Sequence, residues 1–270
     1  NNIFFAIKGN SIDGNKFISK AIKKGSKIIV TEKKVNQFQN GILYIHTKNI
    51  RKLLAETAFK IYNKIPKNLI AVTGTNGKTS VADYFYQILS HSNVPVASIG
   101  TLGIKFKNKL IKTNLTSPDT IFLHQTLQKL KKENIDNVII EASSHGLHQK
   151  RFDHINFKAG IFTNLSQDHL DYHKTMRSYL NAKLILFKNI LSKKNVVITD
   201  KSINQFSEIK KISIKKHLKL NEISKIENKL KKKSKLNFNS IQIKNISMAV
   251  AAAKLCNISE RRIFKILEKI

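Results

Sequence analysis

The residues with the clearest chemical potential lie in the stretch Leu69-Ile-Ala-Val-Thr-Gly-Thr-Asn-Gly-Lys-Thr-Ser80. Gly74 and Gly77 let the backbone turn its amides inward, Lys78 supplies a point charge for outer phosphates, and Thr79 offers a hydroxyl to magnesium. Thr73, Thr75, Asn76 and Ser80 complete a candidate phosphate cradle. The general P-loop pattern places a further glycine where this chain has Val72, so the flanking elements must carry the assignment. Leu69 to Val72 has the length and branching of a buried strand, and Val81 to Leu89 has helical spacing.

Three further groups of residues could do chemistry. Glu141 ends an apolar β-branched run, where a carboxylate is costly unless it is paired or binds a cation. A magnesium ligand shared with Thr79 is one reading, and a capping or salt-bridged glutamate is the other. Asp168, His169, Asp171 and His173 resemble a metal cluster, yet each also suits loop hydrogen bonding; of these, only His169 is taken as a metal contact. Ser143, Gln149 and Arg151 read as a helix start followed by surface polar residues, although Arg151 could clamp a phosphate bidentately. Lys183 has the local pattern of an ordinary solvated helix lysine.

The elements needed to position these groups alternate as strand and helix. Residues 1–7 read as a strand, 17–24 as a helix, 28–30 and 42–45 as strands, and 50–62 as an amphipathic helix. This makes one small α/β unit, bounded near Lys64 to Asn68 where a proline and polar residues intervene. From there the pattern predicts α/β architecture: a P-loop, doubly wound, mostly parallel sheet over 67–270, preceded by a partial small α/β domain over 1–66. Strands at 95–99, 137–142, 159–163 and 196–199, a hairpin at 104–112 and a helix at 120–132 fill it. The strand tips at Thr73–Thr79, Glu141–His145 and Thr163–His173 should converge on the edge where open parallel sheets bind ligands. Residues 200–240 give little signal. Two helices, 245–255 and 260–270, close the chain, which reads as truncated at both ends.

Composition narrows the function classes. A chain of 270 residues with 41% hydrophobic content can bury one or two cores. No apolar stretch reaches membrane-spanning length and no leader opens the chain, so a cytoplasmic protein without a membrane partner is expected. The single cysteine, Cys256, excludes an internal disulfide. The formal charge of +32 would suit nucleic acid, but only five of the 49 basic residues are arginine. Lysine spread over the whole surface is not a dedicated nucleic-acid face, so no such partner is expected. The run Lys229–Lys235 reads as a solvated loop or helix edge. Nothing marks an oligomer interface, and a monomer is expected.

Taken together, Thr73–Thr79, Leu115-Thr-Ser-Pro-Asp119, Glu141-Ala-Ser-Ser-His-Gly-Leu147 with Gln149 and Arg151, Phe162–His173 and Tyr179-Leu-Asn-Ala-Lys183 resemble the Mur ligases. The opening Phe4–Gly14 is similar to the end of that family's uridine-binding domain. The resemblance implies ATP on the P-loop, with Asn245 near its base, and magnesium held by Thr79, Glu141 and His169. It implies a UDP-N-acetylmuramoyl dipeptide on Thr116, Ser117, Ser143, Gln149 and Arg151, with Asn10, Ser11 and Ile12 at its nucleotide end. It also implies that Lys183 is carbamylated by CO2 and joins the magnesium site, against its bland local reading. The implied activity is ATP-dependent amide ligation in peptidoglycan precursor synthesis. Phosphoryl transfer to a D-glutamate carboxylate would be followed by attack of a diamino acid, with meso-diaminopimelate favoured over L-lysine. Catalysis would rest on Lys78, Lys183 and His169. The family's third, amino-acid-binding domain is absent from the sequence, so the fragment alone is expected to be inactive. The alternatives are a folylpolyglutamate synthetase of the same superfamily and a basic P-loop ATPase acting on nucleic acid.

Overall fold

The computed structural model describes residues 2–9, 12–107, 109–113, 115–232 and 238–269. The chain divides into two compact units, Asn1–Ile61 and Tyr62–Ile270.

In the first unit, β1 (Asn2–Phe5), β2 (Ser26–Thr31) and β4 (Ile42–His46) run parallel, and β3 (Phe38–Gln39) pairs antiparallel with β4. Two helices, α1 (Ile18–Lys23) and α2 (Ile50–Ile61), accompany them. Between β1 and α1, Asp13 accepts from the Asn15 backbone amide and caps a short 3-10 turn. Apart from β3, these strands and helices follow the sequence expectation, because the branched runs at 28–30 and 42–45 suit strands and Ala55 and Ala58 give α2 a buried face.

The second unit is built on a sheet whose described strands run in the order β12-β11-β10-β5-β9-β6-β7-β8. These are β5 (Asn68–Thr73), β6 (Val96–Gly100), β7 (Gly103–Phe106), β8 (Lys109–Ile111), β9 (Asn137–Glu141), β10 (Ala159–Phe162), β11 (Val196–Thr199) and β12 (Lys219–Glu222). Six are parallel; β7 and β8 form the antiparallel hairpin at one edge. Helices α3 (Lys78–His91), α4 (Thr120–Lys132), α5 (Ser144–His148), α6 (Leu170–His173), α7 (Met176–Ile185), α8 (Phe206–Lys215), α9 (Ser224–Lys231), α10 (Ser240–Lys254) and α11 (Glu260–Leu267) connect and cover it. One core lies under α3, α10 and α11, and the other under α4, α7 and α8. Strand β9 is buried along its whole length and β5 from Leu69 onward, which is why they read as continuous apolar runs. Each fully buried Ile, Leu or Phe in these layers contributes about 1.5–3 kcal/mol.

Residues 200–240, which carry little signal in the sequence, contain α8, β12 and α9. Ile209 and Ile212 bury one face of α8, and Ile226 and Leu230 one face of α9. Of the lysine run, residues up to Lys231 finish α9, while 233–235 lie outside the described residues.

Register places the chemistry. Val72 pairs with Glu141, and Phe162 with Thr73, so the carboxyl ends of β10, β5 and β9 lie level and adjacent. The three polar tips therefore emerge side by side, as open parallel sheets arrange their ligand edge.

Candidate active site

The loop after β5 is shaped by its two glycines. Gly74 has φ 149° and Gly77 has φ 84°, conformations that L side chains rarely adopt. A Cβ on Gly74 would overlap Thr163 Oγ1, and one on Gly77 would come within 2.7 Å of Asn245 Oδ1. The loop is held from the β10 side: Thr75 N donates to Asn164 O at 3.0 Å, Asn76 N to Asn164 Oδ1 at 2.9 Å, and Thr163 Oγ1 to Asn76 O at 2.6 Å. Thr75 Oγ1 accepts from Ser166 N at 3.0 Å and lies 3.3 Å from Tyr179 OH. Thr73 Oγ1 is fully buried without a hydrogen-bond partner.

Two ammonium groups converge on this loop. Lys78 Nζ donates to Gly74 O at 3.0 Å and Thr75 O at 2.8 Å. Lys183, 1% exposed, donates to the same Gly74 O at 2.7 Å and stands 4.2 Å above the Tyr179 ring. Burial pushes Lys78 below the usual lysine range, opposed by Glu141 and Asp168. Burial, reinforced by the Lys78 charge and opposed by Asp168, brings Lys183 down to about 7. Lys183 is therefore no solvated helix lysine. Its helix turns it inward one turn after the buried Tyr179.

Glu141 is 2% exposed, and its compensation is hydrogen bonding. Thr79 Oγ1 donates to Oε2 at 3.0 Å, Thr101 N to Oε1 at 3.0 Å and Thr101 Oγ1 to Oε2 at 3.1 Å. Thr101 in turn reaches Thr116 Oγ1 at 3.1 Å. A continuous polar network follows: Ser117 Oγ donates to Glu141 O at 2.8 Å and lies 2.9 Å from Ser143 Oγ. Arg151 donates to Ser117 O and, at 2.8 Å, to Gln149 Oε1. Ser143 also caps α5 through Gly146 N. Thr116, Ser117, Ser143, Gln149 and Arg151 thus form one bank running into Glu141, combining their structural role with a shared location.

His169 occupies the left-handed region, φ 52°, at the start of α6, with Asp168 Oδ2 3.5 Å from its Nε2. Its ring centroid lies 4.9 Å from that of His145 and 5.9 Å from that of Tyr179. His173 is buried against Ser144 Oγ at 2.9 Å, and desolvation with neighbouring histidines holds it at about 4. His145 is pushed down by burial and by His169. Among the described residues no three His, Cys, Asp or Glu side chains form a metal-holding group.

The P-loop residues, Glu141, Lys183 and Asn245 are thus linked through short contacts around Gly74 and Gly77, while His169 stands beside Tyr179, which reaches Thr75 of the loop. Ile12 is exposed in the first unit, and Asn10 and Ser11 lie outside the described residues. In the sequence Asp168 stands only as a member of the acidic and histidine cluster, and no role falls to Tyr179, Thr163 or Asn164; in the structure Asp168 opposes the effect of burial at both lysines, and the other three support the loop. The spacing Tyr179-x-x-x-Lys183 on one helix face was the available signal for the first of these supports.

A glycine-bracketed turn from a central parallel strand into a helix, with an acid on the adjacent strand tip, defines a P-loop-type α/β domain on a doubly wound sheet. The chain belongs to the Mur ligase family: residues 72–258 match the Mur ligase middle domain and residues 1–67 the Mur ligase family catalytic domain. It is 41% identical over 191 residues to the UDP-N-acetylmuramoyl-L-alanyl-D-glutamate--2,6-diaminopimelate ligase of Brucella melitensis, covering 71% of this chain and 39% of that protein. The enzyme of the same name from Clostridium tetani is 36% identical over 295 residues, covering 100% of this chain and 60% of that one. A solved structure of a ligase with this name superposes with TM-score 0.81 at 22% identity, covering 99% of this chain and 60% of its own. The chain thus spans between about two fifths and three fifths of these relatives' length. No helix among the described residues is long and apolar enough to cross a membrane.

Proposed function

We propose that this chain carries the ATP site and part of the nucleotide-substrate site of an ATP-dependent ligase that joins 2,6-diaminopimelate to UDP-N-acetylmuramoyl-L-alanyl-D-glutamate. The observation that carries the reading is the meeting of Lys78, Thr79, Glu141 and Lys183 around one glycine-shaped loop. The names of the relatives support the substrate and the added amino acid. Residues 1–66 serve the uridine end of the substrate through Asn10, Ser11 and Ile12, and residues 67–270 serve ATP.

The donor set fits a nucleotide phosphate. The loop amides and the start of α3 favour an anion, and Lys78, now resting on loop carbonyls, can turn its ammonium to the transferring phosphoryl group. The Gly77–Asn245 approach leaves room for backbone but not for a side chain at the loop's end. The network through Thr116, Ser117, Ser143, Gln149 and Arg151 orients the dipeptide so that its terminal D-glutamate carboxylate reaches the cradle. There a carboxylate oxygen attacks the γ-phosphorus, the bond to ADP breaks, and an acyl phosphate forms. The diaminopimelate amine then attacks the acyl carbon, phosphate leaves with the bonding pair, and the amine releases a proton. Such transfers depend on positioning and charge stabilisation rather than on a protein nucleophile.

The oxygen-rich corner of Thr79 and Glu141 suits magnesium, with His169 as a further ligand, and the ion would supply charge neutralisation at the phosphates when bound. Lys183 is suited to carbamylation. Near pH 7 about half of its amine is neutral, against well under a thousandth for a lysine at its ordinary value. The neutral nitrogen attacks CO2 and loses one proton, turning a buried cation into a carboxylate beside Lys78.

The test is phosphate release by the full-length protein. Release should require ATP, the UDP-muramoyl dipeptide and diaminopimelate together, with pteroylglutamate plus glutamate inactive. Turnover on the folate pair, or release stimulated by DNA or RNA alone, would overturn the reading.

A further inference from the structure

Helix α10 brings Asn245 against Gly77, and one residue earlier the same helix makes a second contact. Lys244 Nζ lies 2.6 Å from Asp200 Oδ2 and donates to Ser202 Oγ at 2.8 Å. Asp200 stands immediately beyond β11, with a side chain 3% exposed. It also accepts from Ser202 N at 2.8 Å and Ser202 Oγ at 2.6 Å. Burial would raise the Asp200 carboxyl, but the hydrogen bonds from Lys244 and Ser202 outweigh it and hold the group below its usual range. Asp200 is thus a fixed anion on a rigid strand tip, unlike most of the exposed surface pairs on this protein.

Asn245 itself is 7% exposed, and C-terminal to it α10 is buried through Ile246, Met248, Val250 and a run of alanines, so the fully buried hydrophobic packing that holds the body of the helix begins only after Asn245. The Asn245–Gly77 approach is tight enough that a single added carbon would clash. Rotating α10 by even part of one residue would carry the amide off the loop. Lys244 and Asp200 act at the same helical level and oppose that rotation.

We propose that Asp200 and Lys244 are positioning residues for nucleotide binding, pinning α10 so that Asn245 faces the end of the P-loop. The inference rests on the ATP-site reading above and adds two residues that touch neither nucleotide nor substrate.

The experiment uses the full-length protein with Asp200→Asn, Lys244→Met, Lys244→Arg and Asn245→Ala. Two readouts are taken: KM for ATP against kcat in the phosphate-release assay, and hydrogen exchange of the peptides covering 74–80 and 240–247. Asp200→Asn and Lys244→Met should each raise KM for ATP about tenfold, the cost of roughly one hydrogen bond, with kcat within about twofold. Lys244→Arg should restore most of the affinity. Adding Asp200→Asn to Asn245→Ala should raise KM little further, and exchange should quicken in both peptides but not elsewhere. Unchanged KM in the single variants, fully additive effects on Asn245→Ala, or exchange that rises evenly over the whole chain would overturn the proposal. If the wild-type protein releases no phosphate while the two peptides still respond to Asp200→Asn, the ligase reading falls and the pin stands.

Discussion

Lys183→Met should make the protein more stable at neutral pH while abolishing its activity. The native amine titrates near 7, whereas the unfolded chain returns it to the ordinary lysine value of 10.5. Its folded affinity for a proton is thus depressed, and between these values the unfolded state binds the extra proton, so stability rises with pH through that window. Below about pH 7 both states are charged and the full penalty persists. At roughly 1.4 kcal/mol per unit, the penalty at pH 7 is about 4 kcal/mol, and about 2 kcal/mol of it is recovered by pH 9. Methionine fills a similar volume without a charge. It forfeits the bond to Gly74 O and the contact with the Tyr179 ring, together about 1–2 kcal/mol. The net expectation at pH 7 is a gain of about 2 kcal/mol. The assay is urea unfolding of both proteins from pH 7 to 9 in CO2-free buffer, because carbamylation would itself remove the ammonium. Wild-type stability should climb by about 2 kcal/mol relative to the variant across this range. Parallel curves, or a variant less stable at pH 7, would refute the picture of a buried, strained ammonium.

Other consequences follow from the same contacts. Gly77→Ala should cost about 1–3 kcal/mol in unfolding free energy and weaken ATP binding, because the residue sits at φ 84° and its new carbon meets Asn245; an unchanged melting temperature would contradict this. Glu141→Gln keeps one oxygen to accept from Thr101 N, and its amide NH2 can donate to the Thr79 and Thr101 hydroxyls, so it should fold, yet it should lose magnesium-dependent turnover by at least about a hundredfold; turnover within a few fold of wild type would remove Glu141 from the site. His124, held at about 4 chiefly by burial, must take up a proton on unfolding below its ordinary 6.5, so stability should fall as pH drops from about 6.5 to 4. His124→Leu should flatten that acid limb by up to about 3 kcal/mol in urea titrations, and an unaltered limb would show that other groups set it.

The sequence exposed those features whose cause is local. Alternating branched runs and glycine punctuation predicted β5, β9, β10 and α3, and parallel register did the rest by bringing Thr73, Glu141 and Thr163 level. Helix α4 runs over Thr120–Lys132 as its spacing predicted. What stayed hidden depends on contacts far apart in the chain. Lys183 meets Gly74 across 109 residues and Thr75 meets Tyr179 across 104, so no window around Lys183 could distinguish it from a surface lysine. The region 200–240 was opaque for a different reason. In a chain so rich in lysine, isoleucine and asparagine, the two buried isoleucines of α8 stand out only once β11 and β12 are seen beside them. Glu141 shows how a two-sided reading resolves: the carboxylate is satisfied by threonine hydroxyls and an amide, an arrangement compatible with a cation and requiring no salt bridge.

The central claim is that ATP activates the dipeptide's own carboxylate at the Lys78 loop, and oxygen transfer tests it most directly. The full-length protein is given ATP, diaminopimelate and UDP-muramoyl dipeptide labelled with oxygen-18 in the terminal D-glutamate carboxylate, and the released phosphate is weighed by mass spectrometry. The account predicts one labelled oxygen in each phosphate formed and no release at all from Lys78→Ala. Unlabelled phosphate accompanying amide formation, or undiminished release from the Lys78→Ala protein, would contradict it.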